Sequence, residues 1–269
     1  MAVARRGPPR GRGALLVGTS GWAYRHWPRF YPPELRPPRF LAHYATRFPT
    51  VEVNTSFYHL PLRTTYAKWA AETGPDFRFT LKLSRYVTHI KRLSGVKAET
   101  RLFLERAEPL GEKLGPILVQ LPPQLRADPA RLERFLTMFR SLEVERGERV
   151  RLAFEFRHQT WFDSEQALTS LARHGAALVF GQSGRYPYPS AEPLTADWVY
   201  LRFHGPREFC ASEYGREGLA PWAGKIARWR AEGRDVYAYF NNDVHGYAVE
   251  DAALLVRMAE GSGEGLGSE

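Results

Sequence analysis

The chain has 269 residues, of which 43% are hydrophobic and 25% are charged, and its formal net charge is +9. This hydrophobic fraction supports a sizeable core and excludes a mainly disordered chain, and no run of about 18 apolar residues could form a membrane-spanning helix. The only cysteine, Cys210, excludes an internal disulfide framework and indicates a reducing compartment, so we predict a cytoplasmic protein.

The apolar pattern along the chain alternates between two periods. Short runs rich in β-branched and aromatic residues predict eight strands, at residues 15–19, 51–55, 78–84, 117–121, 151–157, 176–181, 198–204 and 235–241. Stretches with a helical period lie between them and predict helices at 39–48, 64–73, 99–114, 129–142, 164–174, 221–232 and 249–259. Asp128 and Asp163 stand where N-caps are expected.

Eight strands joined by helical connections predict an α/β protein with a single (β/α)8 TIM-type barrel over residues 14–260. A doubly wound open sheet is the competing architecture, but eight strands across almost the whole length favour closure. Residues 182–197 contain Pro and Gly without a helical period, so we predict a long loop in place of a regular sixth helix. The basic N-terminal residues 1–13 and the C-terminal residues 261–269 are predicted to be disordered tails.

Charged residues gather near the predicted strand ends, where TIM barrels carry their active sites. Strand alternation places six polar residues opposite the apolar residues of their own strands, so that all six face the barrel interior. They are Glu52, Lys82, Glu155, Arg157, Arg202 and His204. Charged side chains are rarely buried unless they are paired. The convergence of four strands favours a functional pocket, and the alternative is a self-compensating ion-pair network that fills the barrel.

Other polar and aromatic residues follow the strand ends and extend this predicted pocket. Aromatic residues at a barrel mouth stack on sugar rings or bases, and amides and hydroxyls orient a ligand. The expected ligand-binding residues include the three interior cations. They are Ser20, Trp22, Tyr24, Asn54, Tyr58, Lys82, Gln120, Arg157, Trp161, Arg202 and Asn241.

Seven segments in order resemble the YecE-like family, which is domain of unknown function 72. They are Gly-Thr-Ser-Gly-Trp at 18–22 with Tyr24 and Trp27, Val-Glu-Val-Asn-Thr-Ser-Phe-Tyr at 51–58, Lys82 with Thr88-His89, Gln-Leu-Pro-Pro at 120–123, Glu-Phe-Arg-His at 155–158 with Trp161, Arg-Phe-His-Gly at 202–205 and Phe-Asn-Asn-Asp at 240–243. The resemblance implies a TIM-barrel-type fold and adds His89 to the expected ligand-binding residues. It supplies no reaction.

Three functions are open at this point, and the first is an enzyme that acts on a small anionic or polyhydroxylated, sugar-like molecule. Glu52 and Glu155 are the candidate acid and base, and His204 is a candidate proton shuttle. Lys82 and the interior arginines would stabilise negative charge on the ligand. The reaction class is unassigned, with a hydrolase or an isomerase fitting best, and the separation of the two carboxylates would test glycoside hydrolysis.

The second function is a metal-dependent barrel of the sugar-isomerase or phosphodiesterase kind, with Glu52, Glu155, His204, Asp243 and His245 as available ligands. The interior cations oppose a divalent ion, so we expect no metal, and no sequence pattern indicates a cofactor. The third function is a non-catalytic protein that binds nucleic acid or another polyanion through its basic body. It is less favoured, because no basic run is interleaved with aromatic residues.

Overall fold

Eight parallel strands make up the sheet of the computed structural model, which describes residues 11–27 and 30–261. The strands are β1 Leu15–Thr19, β2 Thr50–Val53, β3 Arg78–Lys82, β4 Leu114–Gln120, β5 Leu152–Glu155, β6 Ala177–Gln182, β7 Trp198–Phe203 and β8 Asp235–Phe240. Their order in the sheet is β1-β8-β7-β6-β5-β4-β3-β2. The predicted α/β barrel is therefore confirmed.

Helices connect the strands. They are α1 Phe40–Ala45, α2 Thr55–Tyr58, α3 Arg63–Ala71, α4 Lys97–Ala107, α5 Pro129–Arg146, α6 Glu165–Arg173, α7 Gly215–Ala231 and α8 Tyr247–Gly261, with shorter helical turns at Pro37–Arg39, Tyr86–Ile90, Glu108–Lys113 and Gln159–Trp161. Residues 183–197 contain no helix, which confirms the predicted loop before β7. Within the described residues, no helix is both long and apolar enough to cross a membrane. Residues 1–10 and 262–269, which make up most of the two predicted tails, lie outside the described residues.

The barrel closes between β1 and β2 through few contacts. Ser20 and Glu52 pair as a single parallel bridge just beyond β1. Below that bridge, the buried hydroxyl of Tyr44 accepts a hydrogen bond from the backbone N–H of Thr19 at 2.8 Å and donates one to the carbonyl of Thr50 at 3.0 Å. A side chain from α1 thus replaces part of the missing ladder and satisfies buried backbone groups of both strands.

Side chains of the strands alternate between two apolar layers. Outward residues such as Val51 and Leu201 pack in the large core that includes the helices. The inward layer contains Leu118, Ala153, Ala177, Val179, Trp198, Tyr200, Tyr237 and Tyr239. The hydroxyl of Tyr239 lies 2.7 Å from the hydroxyls of both Thr50 and Thr80, which satisfies its buried polar atom. The middle of the barrel is therefore filled, and the charged residues stand at the C-terminal ends of the strands.

The two predicted N-caps have different outcomes. The carboxylate of Asp128 accepts a hydrogen bond at 2.9 Å from the backbone N–H of the third residue of α5, so this cap is confirmed. At α6 the cap is Ser164, whose hydroxyl accepts from the N–H of Ala167 at 3.2 Å. The prediction of Asp163 is wrong, because its exposed carboxylate instead accepts a hydrogen bond from Gln159 at 2.8 Å.

The start of α7 also differs from its predicted position. The helix begins at Gly215, six residues before the predicted Pro221. Asp251 in α8 accepts hydrogen bonds from the backbone N–H groups of Tyr214 at 3.0 Å and Gly215 at 3.1 Å. This carboxylate caps α7 from another helix, and no local sequence pattern contains that information.

The cap of α6 gives a matched pair of substitutions. We expect Ser164→Ala to lower the free energy of unfolding by about 1 kcal/mol, because the first turn of the helix loses the acceptor for one N–H group. Asp163→Ala, one residue earlier, should stay within about 0.5 kcal/mol of the parent protein. Urea unfolding measures both values, and a larger loss for Asp163→Ala would contradict the assignment of Ser164.

Candidate active site

Arg202 lies at the C-terminal end of the barrel between two carboxylates. Its side chain comes from the end of β7, and the residue is 1% exposed. The Nε and Nη2 groups donate to Oε2 and Oε1 of Glu52 at 2.9 and 2.7 Å, and Nη1 donates to Oε2 of Glu155. Because Glu52 lies one residue before the end of β2 and Glu155 ends β5, one guanidinium joins three strands that are not neighbours in the sheet.

Glu52 is fully enclosed, and donors occupy both of its oxygens. Besides the two bonds from Arg202, Oε1 accepts from the hydroxyl of Ser20 at 2.6 Å and Oε2 accepts from the hydroxyl of Tyr200 at 2.7 Å. Four donors fill about the number of lone-pair positions that a carboxylate has. Sequence reasoning did not include Tyr200 among the site residues. It stands two residues before Arg202 on the same face of β7, so strand alternation could have identified it.

Glu155 is held between two guanidinium groups. Its Oε1 accepts from Nε of Arg157 at 2.6 Å, while Oε2 accepts from Arg202. Burial would raise the pKa of this carboxyl, but the charges of Arg157 and Arg202 outweigh burial and hold its pKa well below the usual range. Glu155 is therefore an anion whose two oxygens are already engaged.

His204 is buried beside the same guanidinium. Its Nε2 lies 3.3 Å from Nη1 of Arg202, its Nδ1 lies 3.1 Å from the side-chain amide of Asn241, and its ring stacks on Phe209. Burial and the charge of Arg202 keep the pKa of His204 well below its usual range. Since a guanidinium only donates, a hydrogen bond between these two groups has Nε2 as its acceptor. A neutral ring in this position orients Arg202 and has no free nitrogen for the predicted role of proton shuttle.

Lys82 ends β3 inside the same cluster, and its amine has a different environment. The residue is 8% exposed, and Nζ lies 4.1 Å from the centre of the Phe57 ring in α2. No residue in the described part of the chain makes a hydrogen bond or an ion pair with Nζ. Burial, and next the positive charge of Arg202, lowers the pKa of Lys82 to about 7. At neutral pH the amine is thus divided between its charged and uncharged forms.

Three further predicted residues border Lys82 on the side of β4 and β5. Gln120 ends β4, is 3% exposed, and places its amide nitrogen 3.5 Å from Nε2 of His89. Burial and the charge of Lys82 lower the pKa of His89 to about 4, so that its ring is neutral. The guanidinium of Arg157 lies over the ring of Tyr186 at 4.3 Å. Within the described residues, its two outer nitrogens donate to no partner.

The loops place some of the other predicted residues around the mouth of the barrel. The hydroxyl of Tyr24 donates to the carbonyl of Ser20 at 2.9 Å, which orders the first loop over Glu52. Asn54 stands at the start of α2, and Tyr58 at the other end of that helix is 67% exposed. These positions form the rim of the mouth.

Two of the predicted aromatic residues pack inside the protein. Trp161 is 1% exposed, stacks on Phe156 with ring centres 4.5 Å apart, and donates from its indole N–H to the carbonyl of Leu125 at 2.8 Å. Trp22 is half-buried and packs edge-on against Trp69 of α3 at 5.1 Å. Trp161 is thus a core residue and lies too deep to contact a ligand at the mouth, which corrects the sequence-based expectation.

The arrangement also bears on the metal-dependent alternative. Among residues 11–27 and 30–261, no three His, Cys, Asp or Glu side chains gather where they could hold a metal ion. Glu52, Glu155 and His204 instead share Arg202 as their common partner. The position between the two carboxylates, which a divalent ion would need, contains a guanidinium.

The central guanidinium gives a first prediction for the site. We expect Arg202→Met to lower the free energy of unfolding by about 3–5 kcal/mol, because it leaves the buried carboxylate of Glu52 without a cation. Urea unfolding at neutral pH measures the loss. Arg63→Met is the control, since Arg63 forms a solvent-exposed ion pair with Glu108 and should have a far smaller effect. Equal losses for the two variants would show that the triad is energetically no different from a surface pair.

Replacement of Lys82, unlike that of Arg202, is expected to raise the free energy of unfolding. We expect Lys82→Met to raise the free energy of unfolding at pH 6 by about 1–3 kcal/mol, because a buried amine without a hydrogen-bond partner is replaced by an apolar chain of similar length. The pKa of Lys82 is about 7 when folded, below its ordinary value of 10.5. Between those values the unfolded chain binds more protons, so the parent protein gains stability as pH rises.

The advantage of Lys82→Met should consequently shrink from pH 7 to pH 10, as measured by urea unfolding across that range. Lys97→Met, which removes an exposed lysine paired with Glu145, should show no such trend. A Lys82→Met protein that is less stable than the parent at pH 6 would contradict the assignment of an unpartnered amine.

Comparison with known proteins agrees with this fold and these motifs. The family model described as "Protein of unknown function DUF72" matches residues 16–269. The chain is 23% identical to the YunF protein of Bacillus subtilis strain 168, over 94% of this chain and 97% of YunF. It is 26% identical to the YecE protein of Escherichia coli K12, over 80% of this chain and 82% of YecE.

A solved structure shows the same architecture. The crystal structure of a DUF72 family protein from Thermotoga maritima superposes with a TM-score of 0.79 and 29% sequence identity, covering 92% of this chain and 99% of that one. The family model spans nearly all of this sequence, and the motifs at the strand ends had indicated the same family. The chain belongs to the DUF72 family, a family of unknown function whose fold here is a TIM-type barrel.

Proposed function

We propose that this protein is an enzyme that binds a small anionic or polyhydroxylated metabolite at the C-terminal ends of β3, β4 and β5 and changes it by acid–base chemistry. The observation that carries the proposal is the uneven use of charge at the mouth. The carboxylate oxygens of Glu52 and Glu155 already accept hydrogen bonds from arginines and neighbouring hydroxyls. In contrast, the amine of Lys82 and the outer nitrogens of Arg157 donate to no partner among the described residues. Unused buried donors beside each other favour an anionic or hydroxyl-rich ligand.

The self-compensating network is the main alternative, and it accounts for only part of the cluster. Such a network would use each cation to neutralise an acid, as Arg202 does with Glu52 and Glu155. It gives no reason for Lys82, which forms no ion pair within the described chain and whose burial carries a cost. Strongly shifted pKa values that combine burial with specific charged neighbours are typical of functional sites.

The acid–base role fits Lys82 better than the residues that sequence patterns favoured. A general base works best when its pKa lies near the operating pH, and the pKa of Lys82 is about 7. His89, on the same side of the mouth and neutral, is a second group that can form a hydrogen bond with a ligand hydroxyl. Glu52, Glu155 and His204 then act by holding Arg202 in place, so that its charge reaches both Lys82 and the bound anion.

Anion binding tests the proposal without a known substrate. We expect inorganic phosphate to raise the melting temperature of the protein, because a ligand that binds only the folded state stabilises it. Lys82→Met and Arg157→Met should each weaken phosphate binding by about tenfold or more, equivalent to about 1.4 kcal/mol, when titrated by calorimetry. Lys97→Met, on the surface, should bind phosphate as the parent does.

Turnover is tested with the same variants. The protein is incubated with sugar phosphates, sugar acids and 2-oxo acids, and NMR follows the appearance of a new compound that the Lys82→Met protein fails to produce. Phosphate affinity that is unchanged in both site variants, or a complete lack of stabilisation and turnover across these classes, would overturn the proposed function.

A further inference from the structure

Lys82 differs from every other lysine of the chain. The sequence contains six, and all of them lie within the described residues. Lys68, Lys97 and Lys225 form ion pairs with Glu72, Glu145 and Glu192, Lys113 donates to backbone carbonyls of residues 70 and 73, and Lys91 is exposed beside Tyr86. Lys82 alone combines burial with an amine that has no hydrogen bond or ion pair inside the described chain.

We propose that Lys82 is the nucleophile of this site, and that it forms an imine with the carbonyl group of a small anionic aldehyde or ketone. The proposal rests on the proposed function, since it names the substrate class and the reactive atom of the same site. Both roles need the uncharged amine, and a nucleophile needs in addition an open approach to the carbonyl carbon.

The surroundings of the amine meet the first requirement. Lysines become nucleophilic when they are desolvated or when they stand next to another cation, since both conditions favour the uncharged amine. Phe57 covers one side of Nζ at 4.1 Å, and Arg202 adds a positive charge that is fixed in place by Glu52 and Glu155. Together these groups lower the pKa of Lys82 to about 7.

For the second requirement, Lys82 stands at the C-terminal end of β3 and keeps 8% of its surface exposed. The neighbouring strands β4 and β5 carry donors for the anionic group of the substrate. Lys82 pairs in register with Leu118 of β4, and Gln120, two residues further along, pairs with Glu155 of β5. Arg157 follows Glu155 by two residues and has N–H groups without a partner in the described chain. In the proposed complex the anionic group of the substrate contacts Arg157 and Gln120, and its carbonyl carbon lies at Nζ of Lys82.

The uncharged amine of Lys82 attacks the carbonyl carbon, a C–N bond forms, and the carbonyl oxygen takes up the proton that nitrogen loses, which gives a carbinolamine. A second proton, from water at the mouth, converts the hydroxyl into leaving water, and the C–O bond breaks. The sum is amine plus carbonyl plus one proton, giving one protonated imine and one water. The positive charge of the imine then lies close to Glu155, as the charge of a protonated Lys82 does.

Glyoxylate, a small anionic aldehyde, tests directly whether Lys82 forms an imine. Borohydride is present, so that any imine is reduced to a stable secondary amine. We expect one adduct per chain, located on Lys82 by peptide mass spectrometry of the parent protein. Lys82 should be labelled at least about tenfold faster than Lys97, and its rate should rise with pH and level off above about 7, because only the uncharged amine reacts. Acetaldehyde, which has no anionic group, should label Lys82 more slowly than glyoxylate does.

Variants separate the two proposals. Lys82→Arg should lose the adduct, Arg157→Met should slow its formation, and Lys97→Arg should label Lys82 as the parent does. Phosphate binding that depends on Lys82 and Arg157, without any borohydride-trapped adduct on Lys82, would overturn the imine and leave the anion site standing. Absence of both phosphate binding and labelling would overturn both proposals. Labelling of Lys82 at the rate of Lys97, in the parent protein itself, would also overturn the imine.

Discussion

The structure at the mouth of this barrel depends on one guanidinium placed between two carboxylates. Arg202 extends from β7 to Glu52 near the end of β2 and to Glu155 at the end of β5, so a single side chain ties together three separate strands. Neither acid could be buried here without it, because the cost of desolvating an unpaired carboxylate is several kcal/mol. Hydroxyls of Ser20 and Tyr200 complete the bonding of Glu52.

The same pairing decides which groups are left for chemistry. Because both acids are occupied, they neither bind a ligand cation nor exchange protons freely with a substrate. Arg202 also repels a proton from Lys82, which lies near it without an acid of its own in the described chain. One guanidinium thus engages both carboxylates and helps to lower the pKa of one amine. The chemistry of the mouth is consequently that of an amine among cations, which differs from the chemistry of a carboxylate pair.

Much of this fold could be predicted from the sequence, because strands alternate with a period of two and each strand run is bounded by turn residues. Alternation also identified Glu52, Lys82, Glu155 and Arg202 as interior residues. It overestimated some strand lengths: β5 ends at Glu155 and not at the predicted Arg157, since the alternation of polar and apolar residues continues after the last ladder hydrogen bond.

The rest could not be predicted because it depends on distances between elements. A sequence pattern indicates that two acids and three cations share a volume, but it does not indicate which of them pair, and the choice of partner reverses their roles. Trp161 shows the same limit, since an aromatic residue after a strand end fits a mouth or a core equally well until its neighbour Phe156 is known. Asp251 is a further case, as it caps α7 from α8.

Stability alone gives no account of the whole cluster. A buried ion-pair triad is often no more stabilising than an apolar replacement of the same volume, so Glu52, Arg202 and Glu155 hold the strand ends in one arrangement at little net gain in free energy. Lys82 lowers the stability of the fold, because its amine is buried and forms no ion pair among the described residues. Natural proteins retain costly arrangements where function requires them. In the function proposed above, the triad is therefore the rigid support beside which one buried amine stands at the mouth of the barrel.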